Sequence, residues 1–277
     1  MAYITSSDFH FKDTAVALGK FEGIHRGHQL LMDEVKKQEL HGLRSVVFTF
    51  DRPTRLTLTG DTEYKQIYTK KERREILEKR GIDILIEHPF TKEFAALTPD
   101  RFIREVLVEK VGAKVIVVGT DFHFGKNRSG SITDLEKLEE ECGYHLIVVE
   151  KLQLNGKDIS STRIRASLEK GAMEEAKALL GRNYSVSGEI LHGNALGRTI
   201  QVPTINQQVP SFKLLPPNGV YVSKIHWKDE VYYGITNIGT KPTVNNTSEK
   251  TVETNIFDFN KDAVSYTHLR AHETEAD

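Results

Sequence analysis

The chain has very little cysteine and no excess of charge of either sign. Its single cysteine, Cys142, excludes an internal disulfide framework and fits a reducing cytoplasm. Lys and Arg number 38 against 39 Asp and Glu, so the net charge of -1 gives no sign of a nucleic-acid or membrane-surface partner. No stretch is apolar enough to span a membrane, and residues 1–11 lack the apolar core of a signal peptide.

The first half of the chain alternates short apolar runs with amphipathic segments. The apolar runs predict five strands, at 15–18, 45–50, 82–86, 114–118 and 145–149. Helices are predicted between them, at 28–40, 71–80, 99–111 and 132–142. Strands separated by helices indicate a Rossmann-like α/β domain with a parallel sheet, which binds ligands beyond the carboxyl ends of its strands.

The pattern changes near Gly181. Short β-prone runs then alternate with Gly, Pro and Asn, at 184–191, 219–225, 231–238 and 251–259. Helical periodicity is nearly absent, which predicts a small antiparallel β-barrel. A length of 277 residues is compatible with two domains, and we place the boundary between Gly181 and Arg182.

A loop rich in glycine and histidine follows the first predicted strand and leads into a predicted helix. Gly23 and Gly27 let a ligand approach the backbone closely, and a helix N-terminus favours phosphate. His25 and His28 can stabilise charge that builds on an α-phosphate under attack. Alternatively, both histidines only cap the helix and face solvent. A metal site is disfavoured, because no further His or Cys cluster completes a ligand set.

A second candidate segment, Ile159-Ser-Ser-Thr-Arg-Ile-Arg165, follows the fifth strand. Ser161 and Thr162 offer hydroxyl groups and good helix caps. Arg163 and Arg165 can bind phosphate bidentately, but residues two apart on a helix point in different directions, so we expect only one to reach a ligand. Taken alone, the segment is a helix cap. Together with the histidine loop, it indicates the far wall of a nucleotide site.

These two motifs resemble the nucleotidyltransferase superfamily, and in particular the FMN adenylyltransferase domain of prokaryotic FAD synthetases. The segment Val118-Gly-Thr-Asp-Phe-His-Phe-Gly-Lys-Asn-Arg-Ser-Gly130 is similar to a further motif of that family. The resemblance implies roles in flavin binding for Asp121, Phe122 and Phe124, and in ATP binding for Gly23, Gly27, Ser161, Thr162 and Arg165. Alternatively, at least one of the two phenylalanines is a core residue.

Part of the histidine loop and the strand that follows depart from the family pattern. Lys20-Phe-Glu22 stands where the family usually has Asn-Phe-Asp. Thr49-Phe-Asp-Arg-Pro-Thr54 lacks the histidine of the usual Thr-Phe-x-Pro-His-Pro. These departures leave the detailed contacts at this place open.

The second half resembles riboflavin kinase. A glycine-bearing flap that includes Gly193 precedes Val202-Pro-Thr-Ile-Asn206, and Thr251-Val-Glu-Thr-Asn255 is similar to a strand motif of that family. The resemblance implies that Thr204 and Asn206 hold Mg²⁺ and nucleotide phosphates, and that Glu253 is a general base. Alternatively, the first motif is a plain turn and Glu253 lies on a solvated face. Gln201 and Asn255 depart from the family pattern.

We therefore expect a bifunctional enzyme that phosphorylates riboflavin to FMN and adenylylates FMN to FAD, with ATP, riboflavin and FMN as substrates and Mg²⁺ as the metal. Residues 1–181 form the adenylyltransferase domain and are expected to be active alone. Residues 182–262 form the riboflavin kinase domain, and residues 263–277 do not resemble the family.

Because that tail lacks strand-like alternation, we expect an incomplete barrel and little kinase activity. The alternative function is accordingly FMN adenylylation alone. A flavin- or nucleotide-binding regulator without turnover is a third interpretation, which the two histidines and the Ser-Ser-Thr segment disfavour. The oligomeric state stays open.

Overall fold

The computed structural model describes residues 1–61, 63–191, 204–227, 230–242, 248–259 and 269–276. Its contacts divide the chain into two compact units, one of Met1–Tyr64 with Lys70–Ile159 and one of Lys65–Thr69 with Ser160–Asp277. The domain boundary placed between Gly181 and Arg182 from the change of sequence pattern stays a prediction. Within the described residues, no helix has the length and apolar character needed to cross a membrane.

The first unit is built on a parallel six-stranded sheet. Its strands are β1 (Ala2–Ile4), β2 (Thr14–Leu18), β3 (Arg44–Phe50), β4 (Ile84–His88), β5 (Ala113–Gly119) and β6 (His145–Val149), in the order β1-β4-β3-β2-β5-β6. The predicted parallel α/β sheet is therefore confirmed. The edge strand β1 was not predicted, because three residues are too few to show a period of two. A small hairpin of β7 (Gln153–Leu154) and β8 (Lys157–Asp158) follows the sheet.

Helices cover both faces of this sheet. They are α1 (Arg26–Lys37), α2 (Thr54–Thr59), α3 (Lys70–Lys79), α4 (Lys92–Ala95), α5 (Pro99–Arg101), which continues as a π-helix over Phe102–Lys110, and α6 (Ile132–Cys142). Successive residues of a strand point to opposite faces. On β2, Val16 and Leu18 join a core with the π-helix and α6, whereas Ala15 and Ala17 join a core with α1 and α3. Every residue of β2 is buried, as expected of a central parallel strand.

The direction of sheet growth reverses between β2 and β5. From β2 the chain adds β3 and then β4 on one side, and β5 and β6 lie on the other. Such a reversal opens a crevice at the carboxyl ends of the two central strands, where open α/β sheets bind ligands. The histidine loop leaves β2 at this edge, and the segment from Thr120 to Phe124 leaves the adjacent, paired strand β5.

Among its described residues, the second unit has two helices and an antiparallel barrel. The helices are α7 (Ser161–Glu169) and α8 (Met173–Leu180). The strands are β9 (Ser185–Leu191), β10 (Thr204–Gln208), β11 (Gly219–Trp227), β12 (Glu230–Pro242), β13 (Ser248–Ile256) and β14 (Leu269–Ala276). They close in the order β10-β13-β12-β11-β14-β9. A hydrophobic cluster of Ile190, Ile225, Trp227 and Ile256 lies in this unit.

The prediction of an incomplete barrel was wrong for this structure. Strand β14 comes from the tail that was expected to have no strand, and it pairs with both β11 and β9. The expectation rested on the absence of apolar alternation in the tail. Pairing in a sheet uses backbone N–H and C=O groups, which every residue except proline supplies, so a strand can close an edge without that alternation.

Candidate functional site

His25 and His28 lie at the start of helix α1. The helix begins at Arg26, two residues earlier than predicted, and His25 is its N-cap. Nδ1 of His25 accepts a hydrogen bond from the backbone N–H of His28 at 3.3 Å, and the two rings stack with centroids 3.6 Å apart. Since Nδ1 is an acceptor, the neutral ring carries its proton on Nε2. His25 is buried and His28 is half-buried, so the first does not face solvent.

Gly27 is needed for this arrangement of rings. A Cβ atom at Gly27 would lie 3.3 Å from Nδ1 and 3.4 Å from Cε1 of the His25 ring. That separation is tight, so a side chain at this position would require the His25 ring to shift by a few tenths of an ångström. Gly23 lies in the same loop and is buried. The interpretation of the histidines as a helix cap is thus correct for His25, and the cap holds its imidazole in one place at the crevice.

The loop before the histidines has a strained backbone. Phe21 and Ile24 are fully buried and have φ angles of +45° and +43°. A β-branched residue at positive φ is an outlier, and each such residue costs on the order of 1–3 kcal/mol. Strain of this kind persists where surrounding contacts over-determine the conformation, which is common at ligand sites.

Two contacts from neighbouring segments hold this strained loop. The hydroxyl of Thr49, at the end of β3, donates to the carbonyl of Lys20 at 2.9 Å. The hydroxyl of Tyr64 donates to the carboxylate of Glu22 at 2.8 Å. The two residues that depart from the family pattern in this loop, Lys20 and Glu22, therefore both take part in its hydrogen bonding.

The candidate flavin segment places its two phenylalanines differently. Phe124 is buried in the core and contacts Phe102, with ring centroids 5.4 Å apart. Phe122 is half-buried and stacks on Phe124, with centroids 5.4 Å apart and an interplanar angle of 19°. Gly130 makes room for Phe124, because a Cβ there would lie 2.9 Å from the ring. Phe124 is thus the phenylalanine that belongs to the core, and Phe122 has the more accessible ring.

Asp121 is exposed at the same edge and forms an ion pair. Its carboxylate lies 3.1 Å from the ammonium of Lys151, which also lies 3.2 Å from Asp158. The hydrogen bond to Asp121, with that to Asp158, raises the pKa of Lys151. Both pairs are exposed, so they fix geometry more than they add stability.

The Ser-Ser-Thr segment forms the N-terminus of α7 in the second unit. Ser160 is the N-cap, and its hydroxyl accepts from the N–H of Arg163 at 3.3 Å. Ser161 is half-buried and Thr162 is exposed in the first turn. Arg163 pairs with Glu175 at 2.8 Å, and this hydrogen bond lowers the pKa of that carboxyl.

Arg165, in contrast, donates to the backbone carbonyl of Lys65 at 2.5 Å. Arg163 thus pairs with a carboxylate, whereas Arg165 binds a backbone carbonyl. That only one of the two arginines reaches a ligand stays a prediction.

The candidate kinase residues lie together on the outer face of the barrel. Asn206 on β10 is directly opposite Glu253 on β13, and Glu253 is directly opposite Asn237 on β12. Directly opposite residues of antiparallel strands have Cβ atoms about 5 Å apart. Thr204, two residues before Asn206 on β10, lies on the same face and is directly opposite Asn255. Gly193 lies outside the described residues.

The alternation of burial assigns these residues to one face. Val252, Thr254 and Ile256 are buried, whereas Thr251, Glu253 and Asn255 are half-buried. Asn237 was not predicted as a site residue. Its signal was the same period of two, since it alternates with the buried Thr236 and Ile238 on a strand beside Glu253.

Comparison with known proteins agrees with both halves of this description. The family model for FAD synthetase matches residues 8–163, and the model for riboflavin kinase matches residues 180–272. The second match extends beyond residue 262, where the recognised resemblance ended. Between them, the two models span strands β2 to β6 with the histidine loop, and the barrel as far as residue 272.

Individual relatives match over most of the chain. A bifunctional riboflavin kinase/FMN adenylyltransferase from Bacillus subtilis (strain 168) is 36% identical over 254 residues, which cover 90% of this chain and 79% of that protein. One from Listeria monocytogenes is 33% identical over 261 residues, covering 94% and 82%. A solved structure from Streptococcus pneumoniae, described as a macrolide-efflux protein, has a TM-score of 0.88 and 30% identity, and covers 100% of this chain and 91% of that one.

Proposed function

The chain belongs to the bifunctional riboflavin kinase/FMN adenylyltransferase family, and on that premise we propose that it phosphorylates riboflavin to FMN and adenylylates FMN to FAD. The observation that carries this proposal is the match of both family models within one chain, which is 36% identical to a bifunctional relative over 90% of its length. The alternative of adenylylation alone rested on an open barrel. It loses its basis because β14 closes that barrel and the riboflavin kinase model matches through residue 272.

For adenylylation, the FMN phosphate oxygen attacks the α-phosphorus of ATP, and the bond to the bridging oxygen breaks to release pyrophosphate. The buried His25 ring, with its proton on Nε2, is a donor for the charge that grows on the α-phosphate oxygens. His28 stacks on it and supplies the second imidazole. The N-terminus of α1 adds a positive partial charge to the same place.

For the flavin, Phe122 is the ring that we assign to contact with the isoalloxazine, with Phe124 supporting it from the core. Asp121 is held by Lys151 at the edge of the same segment. Ser161, Thr162 and Arg165 are assigned to the phosphates of ATP through hydroxyl and guanidinium groups.

For phosphorylation, Glu253 takes the proton from the ribityl 5′-hydroxyl as that oxygen attacks the γ-phosphorus of ATP, and ADP leaves. The position of Asn206 and Asn237 on either side of Glu253 supports this assignment, because amide groups there can orient the carboxylate and the hydroxyl. A carboxylate beside a polyphosphate needs such orientation, since like charges repel.

The oxygen groups on this face fit Mg²⁺. The Thr204 hydroxyl and the Asn206 amide oxygen lie on the same side of β10, and Mg²⁺ takes one or two protein oxygens while keeping water and phosphate ligands. Bound with the nucleotide, the ion would neutralise charge on the transferred phosphoryl group. Among the described residues there is no cluster of three His, Cys, Asp or Glu side chains, so a fully protein-enclosed metal cage is not part of this proposal.

The test measures both reactions on the same preparation. The purified chain is incubated with ATP, Mg²⁺ and either riboflavin or FMN, and ADP, pyrophosphate, FMN and FAD are quantified. We expect ADP and FMN from riboflavin, and pyrophosphate and FAD from FMN. A folded chain that binds flavin and ATP without forming either product would instead support the regulator interpretation.

A further inference from the structure

A short segment from the first half of the sequence belongs to the second unit. We call Lys65–Thr69 the docked segment, because its contacts group it with Ser160–Asp277. The N–H of Gln66 donates to the carbonyl of Phe212 at 2.6 Å, and the N–H of Leu214 donates to the carbonyl of Gln66 at 2.7 Å. Two backbone hydrogen bonds thus form a parallel bridge between Gln66 and Lys213.

Lys213 fixes the docked segment from within the unit. Its side chain is buried, at 3% exposure. The ammonium donates to the carbonyl of Ile67 at 2.8 Å and to the carbonyl of Ser185 at 2.9 Å. It also lies 4.6 Å from the ring centroid of Tyr68 and 4.5 Å from that of Tyr184.

Burial of an ammonium is costly unless its donors are satisfied. Here the charge is compensated by carbonyl oxygens and aromatic faces, both of which attract a cation. Lys213 therefore joins three parts of the second unit, namely the docked segment, the start of β9 and its own loop. An apolar side chain of the same length would fill the space and leave those carbonyls unbonded.

The docked segment in turn holds Arg165. The guanidinium of Arg165 donates to the carbonyl of Lys65, two residues before the carbonyl that Lys213 binds. Ile67, which supplies the carbonyl for Lys213, is fully buried. A path of direct contacts therefore runs from Lys213 through the docked segment to Arg165, entirely inside one compact unit.

We infer that Lys213 is a positioning residue for FMN adenylylation, although it lies in the stretch matched by the riboflavin kinase model. This inference rests on the proposed function, in which Arg165 binds the phosphates of ATP. Lys213 acts by fixing the docked segment at the carbonyl of Ile67, and the carbonyl of Lys65 in the same segment orients Arg165. It follows that residues 1–181 are not sufficient for full adenylylation, contrary to the expectation from sequence, because they lack Lys213 and the backbone partners of Gln66.

The experiment uses the chain itself, four variants and one matched control variant. Lys213→Met keeps the length of the side chain and removes its donors, and Lys213→Arg keeps donors and charge. Arg165→Met removes the proposed phosphate contact, and the double variant combines it with Lys213→Met. The matched control is Thr236→Val, which loses buried hydrogen bonds to Ser223 at 2.7 Å and Thr254 at 2.9 Å inside the barrel.

The measured quantities are kcat and the KM for ATP in pyrophosphate release with saturating FMN, with thermal unfolding recorded for each variant. One charge-assisted hydrogen bond corresponds to a change of on the order of tenfold or more in affinity. We expect Lys213→Met to raise the KM for ATP by about that factor with a smaller change in kcat. Lys213→Arg should restore much of the loss, and Thr236→Val should leave this KM unchanged.

The double variant separates positioning from general destabilisation. If Lys213 acts through Arg165, Lys213→Met adds little to the KM of Arg165→Met. If Lys213→Met does not fold, the same cycle is run with Lys213→Gln, whose shorter, uncharged side chain cannot hold both carbonyls. An unchanged KM in the folded Lys213→Met or Lys213→Gln variant, or additive effects in the double variant, would overturn the inference without affecting the proposed function. A wild-type chain that forms no FAD from FMN would overturn the proposed function and this inference with it.

Discussion

His25 both caps helix α1 and is proposed to act on the α-phosphate, and two substitutions separate these roles. His25→Ala removes the ring and the acceptor that the cap uses. His25→Asn removes the ring but keeps a short side-chain oxygen, which is among the preferred N-cap acceptors. Both variants lose the stacking on His28, so a comparison between them isolates the cap.

The expected magnitudes differ enough to be distinguished. Loss of an N-cap acceptor costs about 1 kcal/mol of stability, which lowers the Tm of a unit of this size by about 2–4 °C. Loss of one donor to transition-state charge costs about 3 kcal/mol, which is on the order of a hundredfold in kcat. The hydrogen bond in the cap is 3.3 Å long, so its contribution lies at the lower end of the range.

The assay is pyrophosphate release at saturating ATP and FMN, with thermal unfolding of the same samples. We expect both variants to lose about two orders of magnitude in kcat. We expect the Tm of His25→Ala to lie below that of His25→Asn by the amount that the cap contributes. If His25→Asn keeps kcat within a few-fold of wild type while His25→Ala loses stability, the histidine is a helix cap only and the catalytic assignment is wrong.

Three further predictions test the candidate base Glu253, the closure of the barrel and the buried His88. Glu253→Gln should abolish phosphorylation of riboflavin and leave FMN adenylylation largely unchanged; loss of both activities would contradict its role as the base of one reaction. Truncation after residue 262 removes β14 and leaves β9 and β11 with an unpaired edge, so we expect a lower Tm and loss of FMN formation, and undiminished rates would show that closure is dispensable. Burial lowers the pKa of His88 from its ordinary 6.5, so the unfolded chain takes up a proton there before the folded chain does, and stability falls as the pH drops below about 6.5. In His88→Phe the slope of Tm against pH on this acid side should decrease, and an unchanged slope would refute the assignment.

The sequence by itself determined the fold of the first unit and the residue types of the candidate sites. Apolar runs separated by amphipathic segments specify strands and helices, because the two periodicities of burial are local properties of the chain. They placed β2 through β6, and the same alternation placed most of the barrel strands. The residues of the two constellations were recognised because their motifs are contiguous in sequence.

Contacts between distant segments were decided only by the tertiary structure. The alternation of burial along β13 does not tell which strands lie beside it. Only the strand register shows that Glu253 lies directly opposite Asn206 on one side and Asn237 on the other. The closure of the barrel by β14 depends on backbone pairing, which leaves no apolar pattern in the tail. Lys213 resembles any surface lysine in the sequence. Its burial between two tyrosines and two carbonyl groups arises because a segment about 150 residues earlier docks against it, and no local pattern encodes a partner at that distance.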